Sequence, residues 1–216
     1  IEGCRQTVPM LLDTGFDEVF AVDGGSTDGT VELIQSAGIE VRIQTVKGYN
    51  AAYIHAFETS DCDALVFFHP KGTIDLSHLQ PFKGYFNQGM DLVIASRMIR
   101  GARNEEDHRL FKFRKWFVLV LGIVAGLIWR RRGVFIWDVL HGFRGMTRHA
   151  FDLIKPLNHG LSMDLEMVVR GYKKGLKMIE FPVQEHCRTS GETHFRPVPT
   201  ALRLFRYMLF ELRRKE

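Results

Sequence analysis

Asp17-Glu18-Val19-Phe20-Ala21-Val22-Asp23-Gly24-Gly25-Ser26-Thr27-Asp28-Gly29-Thr30 reads as a buried strand that runs into a glycine-rich turn and then into a helix. The strand occupies Asp17 to Val22, and Asp23 follows where the chain enters a crevice. Gly24 and Gly25 permit a tight backbone and close approach of a ligand. Ser26 or Thr27 can cap the helix that follows, and Asp28 falls near its first turn. Carboxylates at Asp23 and Asp28 can accept hydrogen bonds from ribose hydroxyls or from the N–H edge of a base. The same residues also suit a capped turn that holds no ligand.

The pattern continues outward from this turn. A helix is expected from about Thr30 to Ala37, closed by Gly38. Glu40 to Thr45 alternates as a second strand, Gly48 to Glu58 is a helix, and Ala64 to Phe68 is a short apolar strand. Ser77 to Gln88 reads as one helix and Asp91 to Ser96 as another strand. Strands alternating with helices of this length imply βαβ units and a largely parallel sheet. In such sheets ligands bind beyond the carboxyl ends of the strands.

The second half has a different texture. Trp116 to Trp129 is an unbroken apolar run, with Lys112, Arg114 and Lys115 before it and Arg130-Arg131-Arg132 after it. Fourteen helical residues extend roughly 21 Å, short of the ~30 Å hydrocarbon core. The run therefore suits a helix lying in a membrane interface or one buried in the core better than a span. Ala201 to Leu212 places Leu202, Phe205, Leu209 and Leu212 at helical spacing, with Arg203, Arg206 and Arg213 off that stripe. A membrane surface or the protein's own domain can cover such a stripe.

Composition narrows the classes. The 216 residues are 45% hydrophobic and 25% charged, with a formal net charge of +4, as in a globular domain able to bury a substantial core. Arg97 to Arg132 holds ten Lys/Arg against Glu105, Glu106 and Asp107. Such a basic surface suits nucleic acid, anionic lipid or a phosphorylated substrate equally well, and a solvated charged face explains it too; no recognised nucleic-acid-binding motif accompanies it. Cys4, Cys62 and Cys187 are too scattered for a disulfide framework or a zinc cluster, so a reducing compartment is the default. DGGSTDG is not the G-x-G-x-x-G of a dinucleotide oxidoreductase.

Asp23 to Thr30 (DGGSTDGT) resembles the turn of the family 2 glycosyltransferases of the GT-A fold, particularly those that act on dolichyl or polyprenyl phosphate. The likeness extends in order along the chain. Val46-Lys47-Gly48-Tyr49-Asn50-Ala51-Ala52 is similar to a glycine-rich segment opening the next helix, and Ala95-Ser96-Arg97 to a G-S-R motif. Asp138 to Arg144 (DVLHGFR) resembles D-x-x-S-G-F-R, and Asp164-Leu165-Glu166 falls where an acidic helix residue is expected. Glu180-Phe181-Pro182-Val183, Arg188 and Gly191-Glu192-Thr193 resemble E-V-P-I…R…G-E-S, with His194 where a Lys is common.

The resemblance implies a GT-A domain over 1–195, including a basic-flanked interfacial segment at 104–133, and an amphipathic helix over 196–216. It implies transfer of a hexose from a GDP- or UDP-sugar to a membrane acceptor, polyprenyl phosphate being the first candidate. The enzyme would be peripheral on the cytoplasmic leaflet. Asp23, Gly25, Ser26, Asp28, Lys47 and Gly48 would hold the nucleotide-sugar. Arg97, Arg144 and Arg188 would meet donor or acceptor phosphates, since Arg offers bidentate geometry and stays charged. Asp138 and Glu166 would orient that Arg cluster or the sugar hydroxyls, and His194 would adjoin an acceptor phosphate. Family members also begin with a strand ahead of the position of Ile1, so a sheet built from these residues would lack that first strand and leave an unpaired edge.

One motif departs. Where the family carries Asp-x-Asp to hold Mg²⁺ or Mn²⁺, this chain has His69-Pro70-Lys71-Gly72-Thr73-Ile74-Asp75. Three readings follow. Lys71 places its ammonium where the cation would sit, giving metal-independent transfer. Or His69 and Asp75 ligate a metal, although His is a soft choice for Mg²⁺. Or the chain is a pseudo-transferase that binds a nucleotide-sugar or a partner without turnover.

Overall fold

A computed structural model describes residues 2–108, 110–157, 163–187 and 197–214. A short helix, α1 (Glu2–Thr7), and two 3-10 turns lead into β1 (Phe20–Asp23). Then follow α2 (Thr30–Ser36), β2 (Glu40–Ile43), α3 (Tyr49–Glu58), β3 (Ala64–Phe67), α4 (Gln80–Asn87) and β4 (Leu92–Ser96). The second half supplies α5 (Phe113–Trp129), β5 (Arg144–Thr147), α6 (Arg148–Ile154), α7 (Met163–Lys174), β6 (Met178–Pro182) and α8 (Pro197–Arg213).

The strands form two sheets. β1 and β2 pair in parallel, Phe20 opposite Glu40. The other four run in the order β3-β5-β4-β6. β4 and β6 are parallel, whereas β5 runs antiparallel to both β3 and β4. The expectation of a mostly parallel sheet is thus corrected to a mixed one. The cause is Arg144-Gly145-Met146-Thr147, which has neither apolar alternation nor a run of β-branched residues. It pairs because Gly145 lets the rings of Phe82 and Phe86 on α4 pack against the strand. A Cβ at that position would come within 2.7 Å of Phe86 and 2.9 Å of Phe82.

β4 is buried along its whole length, as a strand covered on both faces must be. One face meets α5 and α7 through Leu92, Ile94, Leu121, Ala125, Leu165 and Val168. The other meets α4 through Val93, Ala95 and Phe82. The helix expected over Ser77 to Gln88 is broken instead. Asp75 accepts a hydrogen bond from the Ser77 backbone N–H, opening a 3-10 turn at Leu76–Leu79. Pro81 then occupies the first turn of α4, where its missing N–H costs nothing.

α5 divides the apolar run between two environments. Val118, Leu121, Ala125 and Trp129 are buried, while Phe113, Trp116, Val120, Ile123, Leu127 and Ile128 are exposed. No helix among the described residues is long and apolar enough to cross a membrane. In α8 the core-facing side chains are Leu204, Tyr207 and Met208. The stripe Leu202, Phe205, Leu209 and Leu212 faces outward. A buried ionic cluster fastens α8 to α7: Glu211 meets Arg170 at 2.8 Å and Lys173 at 2.8 Å.

Candidate active site

The centre of the site is the turn leaving β3. The Lys71 N–H donates to the His69 carbonyl at 2.8 Å across Pro70, a three-residue turn that suits the fixed φ of proline. His69 and Lys71 both line a cavity of about 280 Å³, together with Arg97, His141, Asp164 and Glu185. On its other side this cavity reaches Arg114, Lys115 and Phe117 of α5 and Leu204 of α8.

His69 stacks on the Tyr49 ring with centroids 5.9 Å apart. Burial, with the charges of Lys71 and Arg144 nearby, pushes its pKa down to about 4, so the imidazole is neutral at neutral pH. Tyr49 at the start of α3 donates to Asp164 Oδ2 at 3.0 Å, and the Tyr53 hydroxyl donates to the Gly142 carbonyl at 3.3 Å. Gly142 is required where it stands. A Cβ there would lie 2.6 Å from the Tyr49 hydroxyl and 2.7 Å from His69 Cε1.

Asp164 and Arg144 share the floor. Arg144 is fully buried and donates from Nε to the His141 carbonyl and from Nη1 to the Asp164 carbonyl, both at 2.7 Å. Its Nε is 3.3 Å from Asp164 Oδ1, yet neither that oxygen nor Arg144 Nη2 makes a hydrogen bond. Burial raises the Asp164 pKa against the pull of Arg144 and the Tyr49 hydroxyl. His141 is held well below its ordinary pKa by burial. Its Nδ1 contacts the Ala95 carbonyl, which places the ring proton on Nδ1.

Arg97 lies at the edge of the cavity in a paired state. It donates to both Asp138 oxygens, from Nε at 2.9 Å and from Nη2 at 3.1 Å, and to Glu185 at 3.3 Å. Asp138 is fully buried. Burial alone would raise its pKa, but the Arg97 guanidinium overrides that and holds it far below the carboxylate range. Glu180 on β6 accepts the backbone N–H groups of Trp137 and Asp138 at 2.9 and 2.8 Å, fixing the loop that carries Asp138.

The other sequence candidates sit elsewhere. Asp23 accepts from the N–H groups of Gly25 and Ser26 and from the Ser26 hydroxyl, each at 2.7 Å. These hydrogen bonds outweigh burial and lower its pKa. Asp28 accepts from the Thr30 N–H at 3.2 Å. Lys47 approaches the same turn, its Nζ 3.5 Å from where a Gly25 Cβ would lie, and Gly48 precedes α3 at φ 144°. This turn therefore lies at the end of β1, outside the cavity beside Lys71.

Glu166 is completely buried on α7, bonded to Arg170 at 2.6 Å, to the Leu157 N–H at 2.9 Å and to Asn50 at 3.2 Å. Asp164, two residues earlier on α7, lines the cavity beside Lys71, and Glu166 does not. Arg188 and His194 lie outside the described residues. Tyr49, Asp164, His141, Gly142 and Glu185 also line or border the cavity and are not among the residues that the sequence singles out for catalysis or binding. Of these, Tyr49, His141, Gly142 and Asp164 belong to the quoted motifs, which is the signal that could have found them.

A divalent cation fits this turn poorly. Lys71 has no lone pair while protonated, and His69 is a soft donor. The Asp75 carboxylate is engaged at the 3-10 turn. Among the described residues no cluster of three or more His, Cys, Asp or Glu could hold a metal.

The alternating strands and helices and the mixed sheet are those of a GT-A fold, and the model of "Glycosyl transferase family 2" matches residues 4–154. The chain belongs to glycosyltransferase family 2. Among relatives, it is 28% identical over 204 residues to glycosyltransferase AglJ of Haloferax volcanii, covering 91% of this chain and 63% of that protein. It is 27% identical over 187 residues to the dolichyl-phosphate hexose transferase of the same organism, covering 86% and 77%. The chain thus spans less than two thirds of the first of these relatives. Glucosyl-3-phosphoglycerate synthase of Mycobacterium tuberculosis has the same fold, with TM-score 0.69 and 15% identity over 99% of this chain and 76% of that one. A structure of that synthase with Mn²⁺ and UDP-glucose gives TM-score 0.67 at 15% identity, covering 98% and 76%.

Proposed function

We propose that the protein transfers a hexosyl group from a UDP- or GDP-sugar to a phosphate-bearing membrane lipid, polyprenyl phosphate being the favoured acceptor. The observation that carries this reading is the cavity at Lys71. It joins a cationic, partly buried floor to Phe117 and Val118 of α5 and Leu204 of α8, two helices whose other faces expose Trp116, Leu127, Phe205 and Leu209. A lipid phosphate could enter from the apolar side and meet the donor at the polar end. The relatives named for dolichyl-phosphate and hexose transfer support the acceptor and the sugar class.

In this reading an acceptor phosphate oxygen attacks the anomeric carbon. The bond between that carbon and the donor's β-phosphate oxygen breaks, and the nucleoside diphosphate leaves with the electron pair. The acceptor is already ionised, so positioning and charge neutralisation carry most of the rate. Lys71 supplies positive charge to the leaving diphosphate without a metal. Asp164 holds Tyr49 through Oδ2 and faces Arg144 through Oδ1, orienting both at the cavity floor. Asp138 acts through Arg97, keeping the guanidinium at the edge of the cavity. Neutral His69 positions Tyr49 and the β3 turn.

The apolar faces and the basic segment Arg130-Arg131-Arg132 would rest on the anionic cytoplasmic leaflet. The basic residues in the first turn of α5 contribute less, since Arg114 pairs with Glu105 at 2.7 Å and Lys115 with Asp107 at 2.5 Å.

The test is calorimetric titration of GDP-mannose, UDP-glucose and UDP-N-acetylglucosamine, each with Mg²⁺, with Mn²⁺ and with EDTA, followed by transfer to polyprenyl phosphate. Binding and transfer indifferent to EDTA are expected. Absence of binding under every condition would overturn the enzyme reading. The second reading, a pseudo-transferase that binds nucleotide-sugar or a partner, is favoured by the loss of both Asp-x-Asp carboxylates at His69 and Lys71. Binding without turnover would establish it.

A further inference from the structure

His141 stands where D-x-x-S-G-F-R has its serine, and the exchange changes what that wall of the cavity can bind. A serine hydroxyl both donates and accepts, whereas a neutral imidazole donates from one nitrogen and accepts at the other. In His141 the donor is already spent. Nδ1 contacts the Ala95 carbonyl of β4, an oxygen that can only accept, so the ring proton sits on that nitrogen. Nε2, on the far edge of the ring, makes no hydrogen bond among the described residues and stays open to the cavity that the side chain lines. Burial first, and then the Arg97 guanidinium, hold the ring well below its ordinary pKa, so Nε2 carries a lone pair at neutral pH.

The ring is also fixed in place. Besides the Ala95 carbonyl, the Phe143 ring meets it edge-on, with centroids 6.3 Å apart and an interplanar angle of 85°. Arg144 Nε donates to the His141 carbonyl at 2.7 Å and pins the backbone beneath it. A group locked by its neighbours in this way discriminates among ligands better than a mobile one.

The rest of the lining leaves this role to His141. Asp164 meets Arg144 at 3.3 Å, Glu185 meets Arg97 at 3.3 Å and Glu105 meets Arg114 at 2.7 Å. Those carboxylates are matched to protein cations, so a ligand donor that turns to His141 breaks no ion pair. His69 stacks on Tyr49, and no hydrogen bond among the described residues fixes its tautomer, so it can answer a donor or an acceptor. An ionised phosphate offers acceptors alone and would set its oxygens against the Nε2 lone pair. A hexose offers hydroxyls, which donate. The cavity of about 280 Å³ falls just below the ~300–1,000 Å³ usual for small-molecule sites, and suits one hexosyl unit rather than a whole nucleotide-sugar.

We propose that His141 is a specificity-determining residue whose Nε2 accepts a hydrogen bond from one hydroxyl of the hexose carried by the nucleotide-sugar. This rests on the nucleotide-sugar reading above and adds to it a polarity rule. Phosphate belongs at Lys71, and a sugar hydroxyl belongs at His141.

The experiment measures binding by calorimetry, because fluorine on the sugar would slow transfer electronically whatever the protein did. The parent ligand is whichever of UDP-glucose and GDP-mannose binds more tightly. It is compared with its single-deoxyfluoro analogues, in which one hydroxyl in turn becomes a fluorine that cannot donate. One analogue is expected to bind about tenfold more weakly than the parent, the scale of one hydrogen bond, and the others within about threefold. In His141→Phe the parent and that analogue should bind equally. In His141→Ser, whose hydroxyl can turn to donate or accept, the penalty should shrink; this smaller side chain also serves if the Phe variant does not fold. The inference is overturned if no analogue of the wild-type series loses more than about threefold, or if the penalty is undiminished in the variants, while the parent still binds. Failure of both parents to bind would instead overturn it together with the reading on which it rests.

Discussion

At the carboxyl end of β1, a carboxylate closes its own loop; at the carboxyl end of β3, a histidine and a lysine line a cavity. Asp23 accepts three hydrogen bonds from residues two and three positions ahead. His69 and Lys71 instead share their cavity with Arg97, His141 and Asp164, which come from the segment just after β4, the loop before β5 and α7. The first turn is a local motif, complete within a few residues. The second has meaning only once these distant segments are folded together. A glycine-rich turn can thus persist for its backbone geometry, while the chemistry depends on a turn with no comparable local signature.

The difference can be broken first at Lys71. Lys71→Ala is expected to lower kcat/KM for transfer by about 10²–10³, the usual loss when one group that stabilises developing negative charge is removed. Unchanged turnover in steady-state kinetics would remove Lys71 from the reaction.

His69 offers the next largest effect, through pH. Its folded pKa of about 4 lies below the ordinary value of 6.5, so between those values the unfolded chain binds more protons. Stability should therefore fall as pH drops from about 6.5 towards about 4. Allowing for partial exposure of the ring, the loss is on the order of 2 kcal/mol. Urea denaturation across that range measures it. His69→Gln should flatten part of the slope and leave the contribution of His141, which has the same sign.

At the other turn, Asp23→Ala should cost about 1–2 kcal/mol of stability, as for loss of a charged cap. Thermal unfolding would show it. A variant that loses donor binding while keeping full stability would instead make Asp23 a ligand-binding carboxylate in the first place.

The smallest effect on stability is expected outside both turns. Leu127→Asp on the exposed face of α5 should change unfolding free energy by no more than about 0.5 kcal/mol. Sedimentation with anionic vesicles should nevertheless fall in the same variant. Unaltered vesicle binding would detach the exposed face of α5 from the membrane.

Much of the first half was legible because its signals are local. Apolar runs marked β1, β3 and β4, and Gly38 marked the end of α2. β5 was not legible, since Arg144-Gly145-Met146-Thr147 is a strand only by virtue of its neighbours and of the rings that fill the space above Gly145. The stripe of Leu202, Phe205, Leu209 and Leu212 was visible as a helical face, but periodicity is blind to which side the core lies on. The core takes Leu204, Tyr207 and Met208 instead.

The same division holds at the site. Ordered motifs placed Arg97, Asp138 and Arg144 together in the expectation, and the structure shows Arg97 and Asp138 as one ion pair and Arg144 bonded to Asp164. Glu166 and Asp164 are two residues apart on α7, and sequence favoured the one that the fold turns away. Two residues on a helix differ by about 200° in direction, so spacing could separate their faces but could not say which face meets the cavity. By itself the sequence determined the family, the alternation of strands and helices and the departure at His69 and Lys71, because those are matters of residue type and local order. Only the tertiary structure decided the antiparallel β5, the neutral His69 and the partners of each buried charge. Those depend on which distant groups exclude water from one another.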